Sequence, residues 1–196
     1  MAVKHLQPPL LVFGLIILAG TLAVMVKQTF RREVPSIEQA VQTVQSGSFK
    51  LSSPAFNNND PIPDIYTCKG ANVNPPLLIE NAPGNAKEFV LIMHDTDTAN
   101  DPVQWLVWNI SVQNTAIEEH ALPDGATQGT TNFGSTYSGP CPSSGTHHYV
   151  FELYALNDSI TLDPATKRDG VISAINGKTI TRTQLTGTVK AAAPKP

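Results

Sequence analysis

An uncharged apolar stretch near the start of the chain constrains its architecture more than any other feature. Pro9 to Val26 runs for eighteen residues without a charged side chain, with Lys4 before it and Lys27, Arg31 and Arg32 after it. That length is near the lower limit for an α-helix that crosses a bilayer. We therefore predict a short N-terminal tail, residues 1–8, and a transmembrane anchor, residues 9–26.

Two other interpretations of this stretch stay open. A cleaved signal peptide usually has a shorter apolar core and a small-x-small cleavage site, which Thr21-Leu22-Ala23 matches poorly. A buried globular helix would need nearby apolar partners, and none follows. Counting Lys and Arg favours a cytoplasmic domain, whereas a very short N-terminal tail and two cysteines favour export. We predict an extracytoplasmic (periplasmic) domain.

Residues 27–48 are predicted to form a juxtamembrane tether with a short amphipathic helix from Ser36 to Gly47. Ser36 can cap this helix, and Gln39 can complete the capping box. Ile37, Ala40, Val41 and Val44 fall on one helical face. A stalk that packs on the domain or on the membrane surface accounts for the pattern, and it carries no evident chemistry.

The globular part, residues 49–190, has the pattern of a mainly β domain. The chain has 16 prolines and 13 glycines, which indicate many turns between short strands. One helix is predicted from Pro164 to Asn176 with Gly177 just beyond its end, and a disordered tail is predicted over residues 191–196. The predicted strands are 49–51, 77–80, 88–94, 105–112, 149–156 and 179–189.

Charge and motifs exclude several function classes. The net charge of −3 provides no basic field for nucleic acid. No phosphate-binding glycine loop, GxSxG elbow or HExxH helix occurs. Cys68 and Cys141 lack CxxC or zinc-finger spacing. By themselves they could form a disulfide, remain two buried thiols, or include one reactive cysteine.

Two loops contain the candidate functional residues. Asp95 and Asp97 follow the most apolar strand, where paired carboxylates could bind a cation, orient a histidine or raise each other's pKa. Gly139 and Pro140 precede a strand on which His147 and Tyr149 share a face while His148 points the other way. A histidine and a tyrosine beside backbone amides make a suitable anion site. The plainer interpretations are a turn, a structural histidine and a core tyrosine.

In order along the chain, these segments resemble the phosphatidylethanolamine-binding protein family, also called Raf-kinase-inhibitor-like proteins, and in particular its bacterial and archaeal branch. Each matching stretch is short, but the ordered set covers roughly residues 49–189. The stretches are Ser53-Pro54-Ala55-Phe56, Ile62-Pro63, Tyr66-Thr67-Cys68, Asn74-Pro75-Pro76-Leu77, Asp95-x-Asp97, Trp105–Ile110, Gly139-Pro140-Cys141-Pro142, His147-His148-Tyr149 and Leu153–Leu156.

The resemblance implies a fold with a large central antiparallel sheet, a smaller second sheet and few short helices, here preceded by one transmembrane helix. It also implies a pocket for phosphate or a phospholipid head group at one end of the large sheet. The ligand-binding residues that it implies are Asp95, Asp97, Gln104, Trp105, Gly139, Pro140, His147 and Tyr149. It places Cys68 and Cys141 at the same end, which favours a disulfide in an exported domain.

The chain departs from the family pattern at two places. Gln104 stands before Trp105 where the family usually has a histidine, and an amide can donate a hydrogen bond but cannot carry a charge. The family also has a proline between the two acidic residues and another soon after, where this chain has Thr96 and Thr98-Ala99. Both changes bear on how head groups are bound rather than on the fold.

The function that we predict from sequence is a binding or regulatory module, not an enzyme. It would use no cofactor or metal, and its protein target could be a kinase or a protease. Two alternatives stay open: a hydrolase or metal-dependent enzyme that uses Asp95, Asp97 and His147, and a structural envelope protein with a vestigial pocket. Anion binding should strengthen as the histidine becomes charged.

Overall fold

Two antiparallel sheets form the part of the chain, residues 47–193, that the computed structural model describes. The smaller sheet has the strand order β1-β2-β5, and the larger sheet has the order β6-β4-β3-β7-β8. The strands are β1 (Lys50–Ser52), β2 (Leu77–Glu80), β3 (Glu88–Asp95), β4 (Val103–Ser111), β5 (Ala116–Ile117), β6 (Thr127–Gln128), β7 (Thr146–Leu156) and β8 (Thr179–Lys190). A 3₁₀ turn spans Asp64–Tyr66, and one α-helix, α1, spans Arg168–Ile175.

The central strand of the large sheet, β3, is apolar from Phe89 to Met93 because both of its faces are covered. Its eight residues are all buried. Phe89, Leu91 and Met93 belong to a core shared with the small sheet. Val90 and Ile92 pack on the opposite face, where α1 contributes Val171 and Ile175. A continuous apolar run is what such a doubly covered strand requires.

Register brings the ends of three strands to one edge of the large sheet. Asp95, the last residue of β3, pairs with Tyr149 of β7. On the other side, Met93 pairs with Trp105 and His94 with Val103, so the pairing skips Gln104. Gln104 is therefore the extra residue of a β-bulge, a device that redirects a side chain at a sheet edge.

The predicted mainly β fold with two antiparallel sheets and few helices is confirmed. The six predicted strands correspond to β1, β2, β3, β4, β7 and β8 with end shifts of a few residues. The helix begins at Arg168 rather than Pro164, because Asp163 holds the preceding residues in a turn through Ala165 N and Thr166 N. The two-residue strands β5 and β6 were not predicted.

The N-terminal predictions lie outside the described residues. These are the tail at 1–8, the anchor at 9–26 and nearly all of the tether at 27–48. Within residues 47–193, no helix is both long enough and apolar enough to cross a bilayer.

Candidate functional site

The candidate site is a cavity of about 280 Å³ at the edge where β3 ends and β4 and β7 begin. Five of the eight residues predicted for the site line it: Asp95, Gln104, Gly139, His147 and Tyr149. The disulfide and three further loops complete the wall, with Cys68, Asn72, Thr98, Pro102, Phe133, Ser138, Cys141, Pro142 and Ser143. Neither Lys nor Arg is among these lining residues of the described chain.

Asp95 orients His147 from the floor of the cavity. Its Oδ2 lies 2.7 Å from His147 Nδ1 and accepts a hydrogen bond from the Thr98 hydroxyl at 2.9 Å, while Oδ1 accepts the Asp97 amide N–H at 2.9 Å. Burial raises the pKa of Asp95, but the hydrogen bonds from His147, Asp97 and Thr98 lower it more, so the net pKa is lowered. A carboxylate at Nδ1 holds the proton there and leaves Nε2 for other partners.

Asp97 makes a second, more exposed pair outside the cavity. Its Oδ2 accepts the backbone N–H of His148 at 2.6 Å and lies 2.8 Å from His148 Nδ1. The amide of His148, followed by its ring, lowers the pKa of Asp97. Each carboxylate therefore orients its own histidine, and both pKa values fall rather than one being raised by the other.

His147 and Tyr149 share one face of β7, as alternation along a strand requires. Their rings are stacked with centroids 6.5 Å apart and an interplanar angle of 23°. Tyr149 is almost fully buried. Burial first, and then the charge of Asp95 and a hydrogen bond to it, raises the pKa of Tyr149 well above its usual range, so its hydroxyl stays protonated.

Gln104 is a buried amide with an unpaired acceptor on the cavity wall. Its side chain is only 4% exposed, and its Oε1 has no hydrogen-bond partner among the described residues. Its backbone carbonyl accepts the Ser138 N–H at 3.0 Å, so the bulge also holds the loop that leads to Gly139. Buried side-chain oxygens without partners are rare in proteins, so this oxygen has the capacity to accept a hydrogen bond from a water or a ligand.

Three residues that were predicted for the site do not line the cavity. Asp97 faces away from the cavity, as described above. Trp105 donates its indole N–H to Gln128 Oε1 at 2.7 Å and lines a neighbouring cavity. Pro140 has no N–H, and its carbonyl accepts the Cys68 N–H at 3.2 Å.

The backbone amides that were predicted to bind an anion are partly engaged in hydrogen bonds within the protein. The Gly139 N–H donates to Asn72 Oδ1 at 2.6 Å, so this amide already has an acceptor. A glycine is required at position 139 because the backbone packs closely against its neighbours there. A Cβ there would lie 2.6 Å from the Tyr66 carbonyl oxygen and 2.6 Å from Asn72 Oδ1.

A disulfide between Cys68 and Cys141 links the two loops that form one wall. The Cα atoms are 5.4 Å apart, and the cysteines are separated by 73 positions in the sequence. The Tyr137 hydroxyl, which donates to the Tyr66 carbonyl at 2.7 Å, joins the same two loops independently. The wall is therefore held by several links.

A second polar cluster lies behind the cavity, on the opposite face of the large sheet. His94 Nδ1 contacts Asp101, which also pairs with Arg168. His94 Nε2 lies 3.5 Å from Glu152 Oε2, within ion-pair range. Burial lowers the pKa of His94, but the carboxylates of Glu152 and Asp101 raise it by more, so the net pKa is raised. This cluster fixes the loop that carries Thr98 into the cavity.

Comparison with known proteins decides the family of the chain. The family model for phosphatidylethanolamine-binding protein matches residues 52–190. The chain belongs to the phosphatidylethanolamine-binding protein family. The matched segment contains every residue of the cavity described above.

Relatives and solved structures agree with the family assignment. A UPF0098 protein of Methanothermobacter thermautotrophicus is 39% identical over 144 residues, which cover 70% of this chain and 95% of that protein. A UPF0098 protein of Chlamydia pneumoniae is 36% identical over 146 residues, covering 71% and 97%. A phosphatidylethanolamine-binding protein homologue from Chlamydia trachomatis has a TM-score of 0.71 at 31% identity, covering 75% of this chain and 100% of that one. Escherichia coli YbcL has a TM-score of 0.70 at 26% identity, covering 74% and 100%.

The matched segment covers the Chlamydia trachomatis chain along its whole length. The experiments below use residues 47–196, which contain the whole segment matched by the family model.

Nine of the lining residues were not predicted to bind a ligand, and Thr98 and Phe133 are two of them. Thr98 lies in the loop after β3 and reaches Asp95 only because that loop turns back on itself. Phe133 is an isolated apolar residue in a loop rich in Thr, Gly and Asn. An aromatic residue in an otherwise polar loop is the one sequence signal that could have indicated it.

Within residues 47–193, no cluster of three or more His, Cys, Asp or Glu side chains is arranged to hold a metal ion.

Proposed function

We propose that the domain is a non-enzymatic binding module whose cavity receives a small anionic group, either phosphate or a phospholipid head group. The observation that carries this proposal is the arrangement of His147 and Gln104 on one cavity wall. Asp95 holds the proton on His147 Nδ1, so a charged His147 offers Nε2–H to an anion. Tyr149 adds a protonated hydroxyl.

Gln104, a lining residue, also offers a hydrogen-bond acceptor, and this favours an anion that still carries a proton. The unpaired Oε1 of Gln104 requires an N–H or O–H donor. A phosphate or phosphate monoester that keeps one proton supplies an O–H for Gln104 and oxygens for His147. Because the lining residues within 47–193 include neither Lys nor Arg, a fully ionised phosphate would gain less binding free energy than its protonated form.

Several observations support binding rather than catalysis. Cys141 is oxidised to a disulfide and is no nucleophile. Thr98 supplies the one hydroxyl hydrogen-bonded to His147 among the described residues, at 3.3 Å, but it approaches Nδ1, which Asp95 already engages at 2.7 Å. A histidine held in this way is poorly placed to remove a proton from that hydroxyl.

The similarity to the phosphatidylethanolamine-binding protein family leads us to propose a regulatory role at a membrane. The disulfide favours an oxidising compartment, and residues 9–26 would anchor the domain there. A kinase or a protease is the protein target that we propose from the family resemblance. Labelling free thiols in the unreduced, denatured native protein tests the compartment, because two reactive thiols would contradict export.

A thermal-shift titration of residues 47–196 tests the proposed ligand. Phosphate, phosphoethanolamine and a short-chain phospholipid are each added to the wild type, to His147→Ala and to His148→Ala as the matched control. A ligand that binds only the folded state raises the melting temperature in a concentration-dependent manner. We expect shifts in the wild type and the control that disappear in His147→Ala, and equal shifts in all three proteins would contradict the assignment.

A further inference from the structure

An aromatic side chain stands exposed at the rim of the candidate cavity. Phe133 is 57% exposed, more than any other large apolar side chain of the described residues, which include Ile65 at 43% and Leu78 at 40%. It lines the same cavity as Asp95, Gln104 and His147. Scattered apolar residues on a protein surface need no explanation, but this one belongs to the wall of a polar cavity.

The turn that carries Phe133 is held in place by its own hydrogen bonds. Thr131 closes the turn, because its N–H and hydroxyl both donate to the Gly134 carbonyl, at 2.8 and 2.9 Å. The Phe133 N–H donates to the Thr131 hydroxyl oxygen at 3.1 Å. Gly134 has a φ of +133°, which glycine adopts without strain.

The turn is also tied to the strand that carries Gln104. Asn132 Oδ1 accepts the N–H of Val103, the first residue of β4, at 3.0 Å. Gln104 follows directly as the extra residue of the bulge. The backbone that carries Phe133 is thus tied to the strand of Gln104 instead of lying on a free loop, and a preorganised turn loses little conformational entropy when a ligand covers its aromatic side chain.

We propose that Phe133 determines ligand specificity by packing against an apolar substituent on the anion. This inference rests on the proposed anion site and names its ligand class, an organic phosphate monoester with an apolar group rather than inorganic phosphate. The phosphate oxygens contact His147, the remaining phosphate proton faces Gln104 Oε1, and the apolar group covers the Phe133 ring.

Isothermal titration calorimetry of residues 47–196 tests the proposal with inorganic phosphate, phenyl phosphate and dihexanoyl phosphatidic acid. Covering about half of a phenyl ring is expected to tighten binding roughly tenfold relative to inorganic phosphate. Phe133→Ser should remove that advantage, so that neither ester binds more tightly than inorganic phosphate. Leu78→Ser, which removes an exposed apolar side chain from the small sheet, is the matched control and should keep the advantage.

The outcomes separate this inference from the proposal on which it rests. A roughly tenfold preference for either ester that disappears in Phe133→Ser supports the role of Phe133, and the better ester shows whether the substituent resembles a ring or a lipid chain. Equal affinity for inorganic phosphate and both esters would overturn the inference while leaving the anion site intact. No binding of any of the three would overturn both.

Discussion

The disulfide at the cavity wall leads to a stability prediction whose size follows from chain length. Cys68 and Cys141 are 73 positions apart, so the bond closes a long loop in the unfolded chain. The chain-entropy relation gives about 4 kcal/mol for a loop of that length at room temperature. Because hydrogen bonds such as Cys68 N–H to Pro140 O also join the two loops, the native wall should survive without the bond.

We therefore expect the double variant Cys68→Ala/Cys141→Ala to lose up to about 4 kcal/mol of unfolding free energy and about 10 °C in melting temperature. Urea unfolding of residues 47–196 measures the first quantity by linear extrapolation. A reducing agent should lower the stability of the wild type to that of the variant and leave the variant unchanged. Ligand affinity below the transition should remain within about threefold.

Two results would refute this reasoning. A loss below about 1 kcal/mol would mean that the loop is already restricted in the unfolded chain, so that the entropy relation does not apply. A variant that folds but no longer binds ligand would mean that the disulfide shapes the cavity, and that the other links between the loops do not suffice.

Two further predictions concern residues around the cavity. Gly139→Ala should lower the unfolding free energy by about 1–3 kcal/mol, because its Cβ would meet the Tyr66 carbonyl and rotation of a side chain cannot relieve that contact. Urea unfolding measures this loss, with Ser144→Ala, an exposed change in the same loop, as the control. Equal stability of the two variants would contradict the packing argument. The raised pKa of His94 means that its ion pairs add stability below about pH 6.5, its unfolded value, and that this contribution is lost as pH rises through the folded value. Stability of the wild type relative to His94→Gln should therefore fall as pH rises above about 6.5. A difference that does not change with pH would show that His94 is not charged in the folded protein. At acid pH, the lowered pKa values of Asp101 and Glu152 have the opposite effect. Their ionised carboxylates stabilise the folded protein above their unfolded pKa values, and this stabilisation disappears as pH falls through the lower folded pKa values.

The sheet scaffold was predictable from sequence because hydrophobic pattern alone determines it. The run from Glu88 to His94 has no polar alternation, and β3 is indeed buried on both faces. Strands β5 and β6 have two residues each, too few to show any period. Their positions are set by pairing with β2 and β4, which is information from distant parts of the chain.

The candidate site was predictable only in part, for a similar reason. Alternation along β7 places His147 and Tyr149 on one face, and the structure shows them stacked. The bulge at Gln104 could not be predicted, since it depends on the register between β3 and β4. The hydrogen bond from the Gly139 amide to Asn72 joins residues 67 positions apart, so the local sequence could not predict it.

The central claim is that His147 donates Nε2–H to an anion while Asp95 holds the proton on Nδ1. Nitrogen-detected NMR of the imidazole signals of residues 47–196, during a phosphate titration at about pH 6, tests it most directly. The account predicts that His147 carries protons on both nitrogens in the complex and that its Nε2 signal shifts in a saturable way. The signals of His148, which lies outside the cavity, should not change. Saturable phosphate binding that leaves the His147 signals unchanged, or no binding at all, would contradict the account.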